Sequence, residues 1–279
     1  MSDQVDTRSR THPERVHFVI PAFNEVENIP FLLSNIRKFM RFFGEDYRVI
    51  VVDDGSTDGT AEAVREAVEG RRRVQAEVVT HETNKGPGAA FRTGFHRVLE
   101  DAEDIDFVVT IEADNTSDLC VLNRMLDRAR RGNELVLASV YGSGRVVGAP
   151  FSRRVLSWCA NMLIKIVFGF WGLTTFSSFF RLYRVDLLRR GFAAYGDGLI
   201  QEQGFVCMVE VLVKLHRMGC EITEVPMLLD SNIRRGDSKM KIVKTTLSYL
   251  RVMRRLALGR GPRPEQAPAV EMADRSPAT

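Results

Sequence analysis

The chain has 279 residues, with 39 Lys plus Arg against 36 Asp plus Glu, a formal net charge of +3, 44% hydrophobic and 27% charged residues. These proportions belong to a globular protein and exclude collagen-like, low-complexity and wholly disordered classes. So small a net charge is no nucleic-acid signature. The cysteines, Cys120, Cys159, Cys207 and Cys220, show neither a CxxC pair nor zinc spacing, which argues for a reducing compartment rather than a disulfide framework or structural metal.

Residues 1–15 are polar, without the apolar core of a secretory leader, and residues 259–279 are rich in Pro and charge; both ends are expected to be disordered. Between them apolar runs alternate with helical periods. Residues 16–20 read as a strand that stops at Pro21. Ile29, Leu32, Leu33, Ile36, Phe39 and Met40 mark a helix over 28–43. A second strand, 49–52, runs into Asp53-Asp54-Gly55-Ser56. Thr57 or Asp58 can cap the next helix, which carries Ala61 and Val64 on one face. Strands follow at 74–80, 107–111 and 135–138, with helices at 86–99 and 119–131 between them.

Nearly continuous apolar strands at this spacing imply an α/β fold: a mostly parallel sheet, flanked by helices on both faces, with right-handed crossovers. Ligands of such sheets bind beyond the carboxyl ends of the strands, which places the chemistry at 21–25, 53–56, 84–88 and 112–115. The second half is less regular. An apolar helix spans 150–170, interrupted by Asn161 and Lys165, and is too marginal to cross a bilayer; it reads as partly buried or interfacial. An edge strand at 177–183, a helix at 204–218 and a strand at 221–225 follow. A polar loop over 230–239 carries Arg234, Arg235 and Lys239. The final helix, 240–258, has an apolar stripe (Met240, Val243, Leu247, Leu250, Leu256) with Lys241, Lys244, Arg251, Arg254, Arg255 and Arg260 around it, the pattern of a helix that can lie on an anionic membrane or equally pack on the domain with its cations in solvent. With no repeat and no linker, one domain is expected over 16–258, a regular half (16–140) followed by a less regular one (141–258).

The first strand is followed by Pro21-Ala22-Phe23-Asn24-Glu25 rather than GxGxxG, and neither a P-loop nor a GxSxG elbow is present. Phosphates must therefore be held another way. Glu112 and Asp114, at i and i+2 beyond a strand end, are hard oxygen ligands suited to Mg²⁺ or Mn²⁺ bridging substrate phosphates; a polar turn with a helix cap explains the triplet as well. Two adjacent acids closing an apolar strand, Asp53 and Asp54, are costly unless they accept hydrogen bonds, for which a base edge and ribose hydroxyls are suitable donors.

Taken together, Val19 to Glu25, Val51-Val52-Asp53-Asp54-Gly55-Ser56-Thr57-Asp58-Gly59-Thr60, Asn84-Lys85-Gly86-Pro87-Gly88 and Glu112-Ala113-Asp114 resemble the family-2 inverting glycosyltransferases, and among them the polyprenol-phosphate (dolichol-phosphate) mannose or glucose synthases. The resemblance implies a GT-A type fold, a nucleotide-diphosphate sugar donor of the GDP-mannose or UDP-glucose type, a divalent metal and a polyprenyl phosphate acceptor. It implies that Pro21, Ala22, Asn24, Glu25 and Ser56 line the nucleotide pocket, that Asp53 and Asp54 hold base and ribose, and that the loop of Lys85 and Gly86 closes near the nucleoside. Asp114 matches the metal-binding acid of the family's Asp-x-Asp motif. Glu112 replaces the first Asp, so its longer arm shifts the metal or withdraws from it, and Thr116 stands where the polyprenol enzymes usually place Gln. Val140 stands where they have Arg, leaving Arg145, or Arg153 and Arg154, to supply the charge. Ser177-Ser178-Phe179-Phe180-Arg181 resembles their Ser-Gly-Phe-Arg segment with Phe179 in the Gly place. Glu224-Val225-Pro226 and Arg234-Arg235-Gly236-Asp237-Ser238-Lys239 resemble their closing motifs.

The implied catalytic set is Asp114, Arg145, Arg181, Arg234 and Lys239. The acceptor attacks the anomeric carbon from the face opposite the diphosphate, whose charge the metal and cations neutralise. A hydroxyl acceptor needs a general base, whereas a phosphate oxygen is already anionic. No Glu-Asp pair follows Arg181, and the nearest acidic stretch is Asp197, Glu202 and Glu210, which favours phosphate. A cytoplasmic location, peripheral on the inner membrane face, follows from that acceptor. The same architecture with a soluble hydroxyl acceptor remains open. So does a non-catalytic nucleotide-sugar binding subunit, given the altered Glu112, Val140 and Phe179 positions.

Overall fold

The computed structural model describes residues 14–69, 76–141, 144–147, 151–230, 233 and 242–258. Through the first half, strand and helix alternate: β1 (Arg15–Ala22), α1 (Ile29–Phe43), β2 (Asp46–Asp53), α2 (Thr60–Val68), β3 (Ala76–Thr80), α3 (Pro87–Leu99), β4 (Phe107–Thr110), α4 (Val121–Arg130) and β5 (Leu135–Ser139). The second half adds β6 (Arg145–Val147), α5 (Phe151–Phe168), β7 (Arg181–Arg184), α6 (Val185–Tyr195), a 3-10 turn (Gly196–Leu199), α7 (Cys207–Arg217), β8 (Ile222–Pro226), β9 (Leu228–Asp230) and α8 (Ile242–Ala257).

Local chemistry sets the boundaries. Pro30 stands in the first turn of α1, where a missing N–H costs nothing, and Gly44 ends that helix at φ 69°. The expected capping at Thr57 or Asp58 takes a modified form: α2 starts at Thr60, whose N–H donates to Asp58 Oδ1 at 3.0 Å. Burial pushes the Asp58 carboxyl up, but the hydrogen bonds it accepts from Thr60 and Val26 together outweigh this and hold it below the usual range.

Seven strands form one sheet in the order β3-β2-β1-β4-β7-β5-β8. Residues alternate between two cores: Phe18 and Ile20 face α1 and α4 residues such as Leu32 and Met125, while Val19 packs with Phe91 and Phe95 of α3. The chain winds outward from β1 to β3 and then returns to β4 on the other side of β1. This reversal is a topological switch point, where open α/β sheets bind their ligands.

Three expectations change. The strand predicted at 177–183 is not at an edge: β7 pairs antiparallel with β4 on one side and β5 on the other. Its Leu182 enters one core and Tyr183 the other, so it needs cover on both faces. Order also begins before residue 16, because Arg15 opens β1 and pairs with Asp46 at 2.7 Å while Glu14 pairs with Arg130 at 2.8 Å. Helix α6 and the two-stranded sheet of β6 and β9 were not anticipated.

At the amino edge of the sheet, opposite the mouth, Asp106 is buried and meets His17 Nε2 at 3.1 Å, accepting also from the N–H groups of Arg15 (2.9 Å) and Glu103 (3.0 Å). Burial pushes this carboxyl up, but the hydrogen bonds outweigh it and hold it below the usual range. Among the described residues no helix is long and apolar enough to cross a membrane.

Candidate active site

The carboxyl ends of β1 and β2 are tied by reciprocal hydrogen bonds. Asn24, at φ 53°, donates its N–H to Ser56 Oγ at 2.8 Å, and its own Oδ1 accepts from Thr57 N–H at 2.9 Å. Ser56 N–H donates to Asp53 Oδ1 at 3.1 Å, and Glu25 N–H donates to Thr60 Oγ1 at 2.8 Å. A non-glycine residue in the left-handed region costs about 1–3 kcal/mol and persists where its surroundings over-determine it, as they do here. Ser56 and Asn24, expected as pocket residues, thus also build the wall. Ala22 is buried, its carbonyl accepting from Asp54 N–H at 2.8 Å, and Pro21 precedes it at the strand end.

Asp53 and Asp54 are both buried. Asp54 accepts from Lys85 N–H at 2.9 Å and Gly86 N–H at 2.7 Å, and meets His81 Nδ1 at 2.7 Å. It therefore shapes the Lys85–Gly86 loop from beneath. The imidazole is held at its other end by Thr93 Oγ1, 2.9 Å from Nε2. His81 escaped the sequence reading, although it is the first residue past β3 and the strand-end rule reaches it. Gly55, at φ 72°, lets this third loop close in: a Cβ there would lie 2.6 Å from the Thr83 carbonyl carbon.

The turn after β4 carries the acids. Asp114 is buried and accepts at Oδ1 from the N–H (3.1 Å) and hydroxyl (2.7 Å) of Thr116. Glu112 accepts from Ser117 Oγ at 3.2 Å. Asn115, next after Asp114, adopts φ 62° and donates Nδ2 to the Asn28 carbonyl at 2.9 Å, fixing the turn against α1. Asn28 in turn donates to Glu25 at 2.6 Å. Glu25, Asn28 and the acid turn thus flank the switch point together. Strand β9 joins them, with Asp230 N–H donating to the Thr116 carbonyl at 3.1 Å. Arg234 and Lys239, expected in the catalytic set, lie outside the described residues.

On the acceptor side, Glu224 in the middle of β8 accepts from Thr174 N–H, Thr174 Oγ1 and Thr175 N–H at 2.6–2.8 Å. Beside the end of β5 lies a cavity of about 210 Å³ lined by Tyr141, Trp158, Asn161, Met162, Lys165 and Thr174 among others. The amide of Asn161 is oriented by Phe176 N–H on Oδ1, at 3.3 Å, and its buried Nδ2 has no hydrogen-bond partner among the described residues. Arg145 is exposed at the start of β6, its N–H bonded to the Met227 carbonyl at 3.0 Å. Arg181 differs from the expected substrate contact. It is fully buried, and its guanidinium donates to the carbonyls of Ser178 (2.8 Å), Met208 (2.7 Å) and Phe176 (2.6 Å). Its geometry is that of a brace for the 176–178 segment. Phe179 is buried edge-on against Phe91, filling core rather than pocket.

A mostly parallel sheet with a cluster of carboxylates at its switch point defines a GT-A type glycosyltransferase. The chain belongs to glycosyl transferase family 2, whose sequence model matches residues 17–192. It is 31% identical over 81% of its length to an undecaprenyl-phosphate mannosyltransferase of Micrococcus luteus, 87% of which is covered. It is 29% identical to a polyprenol monophosphomannose synthase of Mycolicibacterium smegmatis, covering 81% of each chain. Among solved structures, it shares its fold with the glucosyl-3-phosphoglycerate synthase of Mycobacterium tuberculosis in complex with Mn²⁺, UDP-glucose and phosphoglyceric acid, at TM-score 0.60 and 19% identity over 88% of this chain and 80% of that one.

Proposed function

We propose that the protein transfers a hexose, with inversion, from a nucleotide-diphosphate sugar of the GDP-mannose or UDP-glucose type to a polyprenyl phosphate presented at a membrane surface. One observation carries the choice of acceptor: the acids that a hydroxyl acceptor would recruit as base are engaged elsewhere. Asp197 pairs with His96 at 2.9 Å, while Glu202 and Glu210 both pair with Arg255. A phosphate oxygen needs no base. The cavity beside β5 suits such an acceptor, with Lys165 and the Asn161 amide for an anion and Trp158 and Met162 for an apolar tail. The two relatives, named for undecaprenyl- and polyprenol-phosphate substrates, support the same reading.

The donor would sit across the switch point, its nucleoside between Pro21–Glu25, Asp53 and the Lys85–Gly86 loop. The residues present fit Mg²⁺ or Mn²⁺. Among the described residues no group of three or more His, Cys, Asp or Glu side chains gathers to hold a metal unaided. Glu112 and Asp114 offer two hard oxygen donors, the number these ions take when substrate phosphates complete the shell. Bound there, the ion would neutralise charge developing on the leaving diphosphate. Arg145, Arg234 and Lys239 are proposed to add positive charge around the two phosphates, and Arg181 to hold the 176–178 segment in place.

The membrane reading rests on an apolar face. Trp158, Met162, Leu163, Ile166 and Val167 of α5 are exposed, with Trp171 73% exposed just beyond. Exposed Arg251 and Arg254 on α8 add cations that suit an anionic leaflet. These features support peripheral attachment on the cytoplasmic face. The test is to incubate the protein with Mn²⁺, radiolabelled GDP-mannose or UDP-glucose, and either undecaprenyl phosphate in vesicles or 3-phosphoglycerate. Label is expected in the organic extract. Label in the soluble acceptor, with none in lipid, would overturn the proposal.

A further inference from the structure

Behind the nucleotide mouth lies an ion cluster with no part in the chemistry above. Glu210 of α7 is fully buried and accepts from the N–H groups of Gln201 (2.9 Å) and Glu202 (2.8 Å), from Lys214 Nζ (2.6 Å) and from Arg255 of α8 (2.6 Å). Lys214 also donates to the Gly198 carbonyl. The same Arg255 nitrogen reaches Glu202 at 3.1 Å. Two acids thus meet two bases in a largely desolvated site. Removing one member would leave an uncompensated charge, which costs more than an intact pair returns.

The backbone that this cluster fixes is the floor of the nucleotide loop. The Gln203 carbonyl accepts from Gly88 N–H at 2.9 Å. Gly86 and Gly88 have no room for a Cβ, because the Gln203 and Glu202 carbonyls fill that space. On its other side the loop gives the N–H groups of Lys85 and Gly86 to Asp54. Hydrogen bonds and short stretches of backbone therefore connect an outer helix to the donor-side carboxylate. Helix α8 is also seated by its buried Val252, Met253 and Leu256, which enter the core, and by Arg217, which donates to the Leu256 carbonyl at 2.7 Å. Its outward Arg251, Arg254 and Leu250 are exposed.

We propose that Arg255 is a positioning residue for the donor site: by bridging Glu202 and Glu210 it locks the 201–203 floor, so that the seating of α8 sets how firmly the 85–88 loop is held against the nucleotide sugar. This rests on the reading that the loop faces the donor. It makes α8 a link between the lipid-facing side and the nucleotide side of the enzyme.

The experiment compares the full chain with Arg255→Met and Arg255→Lys by three readouts. These are hydrogen exchange of amides 84–90 and 201–203, calorimetric affinity for UDP and GDP with Mn²⁺, and the separate KM values for sugar nucleotide and lipid phosphate. In Arg255→Met, exchange should quicken in both segments. Affinity for the bound diphosphate should fall about fivefold or more, a typical coupling between sites. The donor KM should rise with it, while kcat and the lipid-phosphate KM stay near wild type. Arg255→Lys should recover part of the loss, since the ammonium keeps the charge but its shorter side chain falls short of the point where one guanidinium nitrogen meets both carboxylates. Unchanged exchange at 84–90 with unchanged nucleotide affinity, alongside a lowered Tm, would show a structural role only and overturn the proposal. If Arg255→Met does not fold, Glu202→Gln removes one arm of the bridge and should shift the same readouts in the same direction. A wild type that binds neither UDP nor GDP would defeat the nucleotide reading, and the exchange measurement would still decide the role of Arg255.

Discussion

The two sides of the candidate site are built on opposite plans. On the donor side nearly every polar group is engaged within the protein: Asn24 with Ser56 and Thr57, Asp54 with His81, Lys85 and Gly86, and Asp114 with Thr116. On the acceptor side α5 leaves half a turn-after-turn surface of Trp, Met, Leu and Ile open, with the donor nitrogen of Asn161 unpartnered in the cavity behind it. The contrast follows from the ligands proposed. A sugar nucleotide is small and polar, and a rigid, prebuilt cradle binds it at least entropic cost. A polyprenyl chain comes with its own apolar solvent, which a folded chain can meet only with a face left uncovered.

If the two sides are energetically separate, variants should affect one and spare the other. The largest effect is expected from Asp114→Asn: transfer should fall about a thousandfold, the worth of several kcal/mol of charge stabilisation. Vesicle binding and melting temperature should hold, and a parallel loss of vesicle binding would break the separation. Next is Trp158→Ser combined with Trp171→Ser. Withdrawing two partly exposed aromatic side chains from lipid should weaken partition onto anionic vesicles about tenfold or more, measured by co-sedimentation. Affinity for UDP or GDP should not change. Gly55→Ala sharpens the donor side. Forcing a Cβ against the Thr83 backbone at φ 72° should cost about 1–3 kcal/mol of stability and weaken nucleotide binding, both visible in melts with and without UDP and Mn²⁺.

The smallest effect lies at the far edge of the sheet. Asp106→Asn should lower unfolding free energy by about 1–2 kcal/mol near neutral pH, because a buried charged acceptor is lost. The Asp106 carboxyl is held below its unfolded value of about 3.9, so its contribution is complete above that value and disappears as pH falls through the folded one. Denaturant curves should therefore show a constant gap between pH 5 and 8 that closes below about pH 4. A gap that widened in acid would contradict the assignment.

Much of this was legible in the sequence where the signal is local. The apolar run of β2 ending in Asp53-Asp54, Gly55 between strand and helix, and the Pro87 start of α3 each state their structure within a few residues. What escaped depends on partners distant in the chain. The role of His81 comes from Asp54, 27 residues earlier, and that of Arg255 from Glu210, 45 residues before it. Neither pairing leaves a periodic trace. β7 failed for a related reason: four residues can declare a strand, but not that it enters the sheet antiparallel between β4 and β5. Arg181 enters the expected catalytic set only through the resemblance carried by residues 177–181, which says nothing of what surrounds its guanidinium. Only the fold shows three carbonyls converging on it.

The central claim is that the acid turn beyond β4 and a nucleoside diphosphate hold a divalent cation together. Titrating Mn²⁺ by electron paramagnetic resonance, with and without UDP or GDP, tests this directly. Wild type should bind Mn²⁺ weakly alone and much more tightly once the diphosphate is present, and Asp114→Asn should lose that gain. Equal Mn²⁺ binding by both proteins, with or without nucleotide, would contradict it.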